Sequence, residues 1–149
     1  MNTPAPANHY LSTPVLLLMA LACGLCAGGN YFNQPLLNSI AQDLQISEAT
    51  ASLTVTVAQV SYALGLLFIV PLGDMFERRR LVFVLMLLAA VGQFTSAFAM
   101  NSEMLFIGMG AAGLFSVAAQ VLVPLAAMLS VLESSGRSVG IVMSGLLTG

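Results

Sequence analysis

Six uncharged polar side chains lie within or at the end of long apolar segments, where hydrogen-bonding groups are costly and therefore often functional. Gln59 lies near the middle of the second segment, Tyr62 is one turn further on the same helical face, and Gln120 lies near the middle of the fourth. Amide and phenol groups donate and accept hydrogen bonds without carrying charge. They predict a polar cavity for a small molecule, or else interhelical hydrogen bonds that hold a bundle together. The cavity candidates are Asn30, Tyr31, Gln34, Gln59, Tyr62 and Gln120.

Other reactive groups are few. Cys23 and Cys26 have metal-site or redox spacing, but there is no second pair and the only histidine is His9, so we interpret them as small packing residues. No carboxylate, Lys or His lies deep in an apolar segment, so a proton-relay group must lie at a membrane edge or outside this sequence. Nothing resembles an enzyme's nucleophile, metal cage or phosphate loop, and we predict neither enzymatic activity nor a cofactor.

Three of the four cationic side chains form one block, Arg78-Arg79-Arg80, between two apolar segments. Asp74 lies just before it, at the predicted C-terminal end of the second helix, where the helix dipole disfavours an anion. The neighbouring guanidinium groups offset that effect, which favours an arranged ionic cluster over the alternative of a solvated turn. For Asn30 and Gln34, hydration at the membrane interface is the alternative to a cavity.

The composition requires a lipid environment. The chain has 149 residues, of which 58% are hydrophobic and 7% charged, and its mean hydropathy is +0.96. Soluble domains carry about 25% charged residues. A basic cluster of three residues at a membrane edge is explained by topology, so nucleic acid is excluded as a partner.

Four segments have the ~20 residues needed to cross a bilayer. They are predicted at residues 14–34, 48–72, 81–100 and 104–132, with a partial fifth at 139–149 and Ser47 as an N-cap of the second. Small residues four apart predict close helix packing: Gly24 with Gly28, Gly108 with Ala112, and Gly145 with Gly149. Short basic loops stay in the cytoplasm, which predicts a cytoplasmic amino terminus at residues 1–13, a cytoplasmic block Arg78–Arg80, a cytoplasmic Arg137 and external turns at 42–47 and 101–103.

The stretch from Gly65 to Arg80, GLLFIVPLGDMFERRR, resembles the loop between the second and third helices of the major facilitator superfamily. That loop reads Gly, three residues, Asp, Arg, any residue, Gly, Arg, and Arg or Lys. Asp74 matches the acid, and Arg78 and Arg79 match the basic pair. Three positions depart from the motif: Val70, Met75 and Glu77. Residues 30–37 and 113–127 resemble the drug- and sugar-exporter-like branch, although residues 107–113 lack the Arg that the family's fourth helix often carries.

The resemblance implies a twelve-helix transporter that works by alternating access between two six-helix halves. In this family the first and fourth helices line the cavity, which suits Asn30 and Gln120. The loop acid favours the outward-open state, and this role implies a conformational-switch loop of Asp74, Arg78, Arg79 and Arg80.

The sequence therefore predicts an all-α polytopic membrane helical bundle, with the first four spans and part of a fifth of a major facilitator fold. The predicted function is export of small organic molecules, driven by an ion gradient, from a bacterial inner membrane. The predicted partners are the lipid bilayer, a small-molecule substrate and the carboxyl-terminal helices of the same transporter. The alternatives are a small four-helix dimeric multidrug transporter and a truncated, non-transporting membrane protein.

Overall fold

The computed structural model describes residues 12–32, 34–130 and 135–148. These residues form seven α-helices and two short 3-10 turns, with no β-strand among them, which confirms the predicted all-α class. The 3-10 turns are Gln34–Leu36 and Val70–Asp74. The α-helices are Thr13–Tyr31 (α1), Leu37–Asp43 (α2), Glu48–Phe68 (α3), Arg78–Ala97 (α4), Ser102–Phe115 (α5), Ala118–Leu129 (α6) and Ser135–Thr148 (α7).

Four helical stretches of the described chain are long and apolar enough to cross a membrane. They are Thr13–Asp43, Glu48–Phe68, Arg78–Ala97 and Ser102–Leu129. Helix α7 has 14 residues, which corresponds to about 21 Å of helix, against the ~30 Å thickness of the hydrocarbon layer. The four long stretches lie where the sequence predicts four spans.

Side-chain caps fix the starts of two helices. Ser47 Oγ accepts a hydrogen bond of 3.1 Å from the backbone N–H of Thr50, so Ser47 caps α3 as predicted. Asn101 Oδ1 accepts one of 2.8 Å from the N–H of Met104 and caps α5 in the same way. Each cap pairs an N–H group that would otherwise have no partner at the helix end.

Several helix boundaries differ from the predicted ones, and three of them change the interpretation of the sequence. Helix α3 ends at Phe68 rather than Leu72, because Pro71 has no N–H to continue the helical ladder. Helix α4 begins at Arg78, so the basic block is the first turn of a helix and not a loop. Helix α7 begins at Ser135 rather than Val139, which places Arg137 in a helix and not in a break. Ser138 and Val142, four residues apart, are both buried and extend the packed face of α7 towards its start.

The predicted fourth span is broken in the middle, at Ser116 and Val117, into α5 and α6. The break contains tighter backbone bonds, from Ala119 N–H to the Ser116 carbonyl at 3.4 Å and from Gln120 N–H to the Val117 carbonyl at 2.9 Å. Bonds of this i to i+3 type tighten the helix locally and change the direction of the side chains that follow.

The α5–α6 stretch is the centre of the bundle. Helix α5 packs against α3 and α4, and α6 packs against α1, α4 and α7. Half of the most apolar segment of this stretch is buried, compared with 22% of the corresponding segments of α3 and α4. The buried core includes Cys23 and Cys26, which are free thiols among apolar side chains and act as packing residues, as predicted.

Two glycine seams bring helix backbones together. At the α1–α7 seam, formed by Gly24 and Gly145, a Cβ atom added to Gly24 would lie 2.8 Å from the Gly145 carbonyl oxygen, and one added to Gly145 would overlap the carbonyl of Ala20. At the α4–α5 seam, formed by Gly92 and Gly108, an added Cβ would lie 2.5 Å from a backbone nitrogen of the facing helix in either direction. The close packing predicted for Gly24, Gly108 and Gly145 is confirmed.

Candidate substrate cavity

A cavity of about 180 Å³ lies where α1, α3, α6 and α7 converge. It is close to six water volumes of ~30 Å³ each, which is room for a single-ring molecule. Its wall combines two phenols, one amide, one hydroxyl and one thiol with small apolar groups. The lining residues are Cys26, Ala27, Tyr31, Tyr62, Ser116, Ala119, Gln120 and Leu146.

A hydrogen bond across the cavity joins two residues that are 58 positions apart. Gln120 Nε2 donates to the hydroxyl of Tyr62 at 3.0 Å. Within the described residues, the Tyr62 hydroxyl proton and the Gln120 Oε1 atom have no other hydrogen-bond partner. The pair therefore offers one donor and one acceptor to a molecule in the cavity.

The position of Gln120 follows from two local interruptions of the fourth span. The Ser116–Val117 break lies just before it, and Pro124 lies four residues after it within α6. Proline has no N–H, so it cannot donate to the Gln120 carbonyl as a helix interior residue would. The backbone and the side chain of Gln120 both add polarity at this depth of the bundle.

Gln120 also lines a second cavity, of about 210 Å³, on the side of the basic block. This cavity is bounded by the Val70–Asp74 turn, the start of α4 and the Pro124 region of α6. Each cavity is smaller than the ~300–1,000 Å³ of a typical ligand site. The lining residues are Val70, Gly73, Arg78, Gln120, Val121 and Pro124.

The structure brings three of the six predicted cavity residues together, namely Tyr31, Tyr62 and Gln120. Gln59 is exposed instead, because the packed face of α3 runs through Ala58 and Gly65, which contact α5. Gln34 is also exposed, in the 3-10 turn after α1.

Two predictions concern side chains that lie outside the described part of the structure. Asn30 belongs to the last turn of α1, and Asp74 ends the Val70–Asp74 turn. Their backbone positions are given by those elements, and their predicted roles remain predictions.

Five cavity residues are absent from the sequence-based set: Cys26, Ala27, Ser116, Ala119 and Leu146. Ser116 lies four residues before Gln120, and this helical spacing could have identified it from the sequence. Leu146 belongs to α7, and no polar pattern distinguishes it from the other apolar residues of that helix. Cys26 lines the cavity as a small neutral group within the core.

The three arginines of the basic block have different surroundings. Arg78 is partly buried: its Nε donates to the Gly73 carbonyl at 3.1 Å, and a terminal guanidinium nitrogen contacts the sulfur of Met128 at 2.6 Å. It therefore links the turn after α3 with the end of α6. Arg79 is exposed, and Arg80 pairs with Glu77 at 2.8 Å on the surface.

Gln93 of α4 makes a further interhelical contact. Its Nε2 donates to the backbone carbonyl of Gly29, near the end of α1 and two residues before Tyr31. Its Oε1 is buried and has no hydrogen-bond partner among the described residues. Gln93 therefore joins α4 to the end of α1 through a packing hydrogen bond.

Comparison with known protein families places this geometry in context. A family model described as the Major Facilitator Superfamily matches residues 19–149. The chain is 51% identical over 142 residues to the putative uncharacterized transporter YgaY of Escherichia coli strain K12. The matched region covers 95% of this chain and 36% of that protein. It is 38% identical over 146 residues to the probable transporter SCO4007 of Streptomyces coelicolor. This matched region covers 98% of this chain and 33% of that protein.

A third relative is the uncharacterized MFS-type transporter YwfA of Bacillus subtilis, 30% identical over 115 residues, which cover 76% of this chain and 27% of that protein. The chain thus spans about a third of the length of the curated relatives it matches. No solved structure matched the chain.

Proposed function

The chain belongs to the major facilitator superfamily, and we propose that it supplies the amino-terminal helices of a transporter of small organic molecules that works by alternating access. The cavity around Tyr62 and Gln120 carries this proposal. It lies inside a bundle of membrane-length helices, where polar side chains are costly and therefore indicate a functional site such as a substrate path. The helices that complete the site would come from a carboxyl-terminal part like that of the relatives.

The direction and location form part of the same proposal. The transporter exports its substrate from a bacterial inner membrane, with energy from an ion gradient. Export is supported by the resemblance of residues 30–37 and 113–127 to the drug- and sugar-exporter-like branch, and the bacterial location by the organisms of the relatives. A small dimeric multidrug transporter is disfavoured by the family match, and a truncated, non-transporting protein is an outcome of the test below.

The proposed topology places the basic turn of α4 in the cytoplasm. Exposed Arg79 and the surface pair Arg80–Glu77 suit a cytoplasmic membrane edge, where short basic segments are retained. Single cysteines are introduced in a background without Cys23 and Cys26 and labelled with an impermeant maleimide. Gln45→Cys and Ser102→Cys should react from outside the cell and Arg79→Cys should not. The opposite pattern would invert the topology.

A conformational-switch role is proposed for Asp74, Arg78, Arg79 and Arg80. Arg78 supports it, because its contacts with Gly73 and Met128 link the turn after α3 to the end of α6. In the full-length form, Asp74→Asn should lower transport at least tenfold at equal membrane abundance. Equal transport by the variant would reduce Asp74 to a turn residue.

The decisive experiment is transport by the full-length form in proteoliposomes with an imposed proton or sodium gradient. A panel of aromatic amides, sugars, amino acids and cationic dyes should contain a solute that shows saturable flux. Gln120→Leu should lower that flux about tenfold, since it removes one hydrogen-bonding group from the site. The matched control, Gln42→Leu on the exposed face of α2, should transport normally. Absence of saturable flux for the whole panel would contradict the transport proposal and favour a non-transporting membrane protein.

A further inference from the structure

We propose that the Tyr62–Gln120 cavity selects uncharged aromatic amides, which bind through the donor–acceptor edge of their amide group. The inference rests on the proposed transport function and adds the chemical class of the substrate. Three features of the cavity carry it: its lack of charge, the orientation of one hydrogen-bonding pair, and its apolar remainder.

The described lining offers no charge to a bound ion. Among the described residues around the cavity, none is Asp, Glu, Lys, Arg or His. An ion that leaves water for a membrane-embedded site loses several kcal/mol of hydration unless an opposite charge compensates it. Arg78 lines the neighbouring cavity rather than this one, and its guanidinium contacts Gly73 and Met128.

The hydrogen-bonding pair fits an amide. Gln120 Nε2 is engaged by the Tyr62 hydroxyl oxygen at 3.0 Å, which leaves the hydroxyl proton as a donor and Gln120 Oε1 as an acceptor. A primary amide, such as that of benzamide, has a carbonyl oxygen and an N–H on the same edge, so it satisfies both groups at once. A carboxylate offers no donor, and an ammonium group offers no acceptor, so each would leave one protein group unpaired.

The remainder of the cavity fits a small ring. The rings of Tyr31 and Tyr62 face it together with Ala27, Ala119 and Leu146. Aromatic rings pack against one another in stacked or edge-to-face arrangements. The 180 Å³ volume accommodates a single ring with a short substituent.

Binding to the full-length protein in lipid nanodiscs tests this class with four matched probes. Tritiated benzamide is displaced by unlabelled benzamide, benzoate, benzylammonium or N,N-dimethylbenzamide. We expect benzamide to displace the label at concentrations at least tenfold lower than the other three. Benzoate and benzylammonium have the same ring but carry a charge, and the dimethyl compound lacks the N–H donor.

Two variants connect this preference with the two residues. Gln120→Leu and Tyr62→Phe should each weaken benzamide binding about tenfold and reduce its advantage over N,N-dimethylbenzamide, whereas Gln42→Leu should change neither. Circular dichroism and size-exclusion profiles identify any variant that fails to fold.

Three results would overturn the assignment: no specific benzamide binding, tighter displacement by benzoate, or unchanged selectivity in both variants. Tighter benzoate binding would make Arg78 the anchor of the site. If proteoliposomes still show saturable flux of a solute from another class, the transport proposal stands and only the substrate class is lost.

Discussion

The glycine seams and the Tyr62–Gln120 cavity are two different arrangements of the same helices. At the α1–α7 seam, Gly24 and Gly145 let two backbones touch, and no side-chain atom fits between them. A few residues further along the same helices, Tyr31 and Leu146 face open space around the Tyr62–Gln120 pair. Because lipid gives no hydrophobic drive for association, close backbone packing supplies the stability. The cavity can then leave polar groups unpaired for a ligand.

The strongest test of this contrast adds a side chain to the α1–α7 seam. Gly145→Leu should lower the free energy of unfolding by about 3 kcal/mol or more, because its Cβ would overlap the Ala20 carbonyl and a backbone must move. Unfolding in mixed detergent micelles, followed by circular dichroism, measures the change. In the matched control, Gly140→Leu, the new Cβ would meet nothing within 4 Å. Equal stability of the two variants would contradict the seam.

A smaller effect is expected where α4 holds the end of α1. Gln93→Leu removes the hydrogen bond to the Gly29 carbonyl and should lower the free energy of unfolding by about 0.5–1 kcal/mol. The loss is limited because the substitution also removes a buried oxygen without a partner. The same unfolding measurement applies, and Gln42→Leu is the control. A loss as large as that of Gly145→Leu would mean that polar contacts, rather than seams, hold the bundle.

The smallest effect is expected at the surface pair Arg80–Glu77. The two side chains are 87% and 59% exposed, so solvent screens their attraction. A double-mutant cycle of Arg80→Ala and Glu77→Ala should give a coupling energy below about 0.5 kcal/mol. A coupling above 1.5 kcal/mol would show that the pair is part of a larger ionic network.

The sequence predicts the features that depend on local patterns. Hydrophobic length predicts the four long stretches, Ser47 shows the residue type of a cap, and small residues four apart predict the seams at Gly24, Gly108 and Gly145. Each of these signals requires only a few consecutive turns of one helix, and for this reason they are visible without a structure.

Features that depend on two helices at once are only partly predictable. Gln59 and Tyr62 share a face by spacing alone, but the contact of Ala58 with Gly113 sets the rotation of α3 and leaves Gln59 exposed. The break at Ser116 and Val117 contains neither Pro nor Gly, so the sequence does not predict it. This break nevertheless directs Gln120 towards Tyr62. Such pairings require the packing of distant segments.

We propose that Gln120 faces a water-accessible cavity that a transported solute occupies, and protection of a cysteine at this position tests the proposal most directly. In the full-length form without Cys23 and Cys26, Gln120→Cys should react with a small maleimide, and a transported solute at saturating concentration should slow that reaction at least tenfold. Ala118→Cys, on the fully buried side of α6, is the control and should stay unreactive. Rapid labelling of Gln120→Cys with no protection by any transported solute, or no labelling at all, would contradict the account.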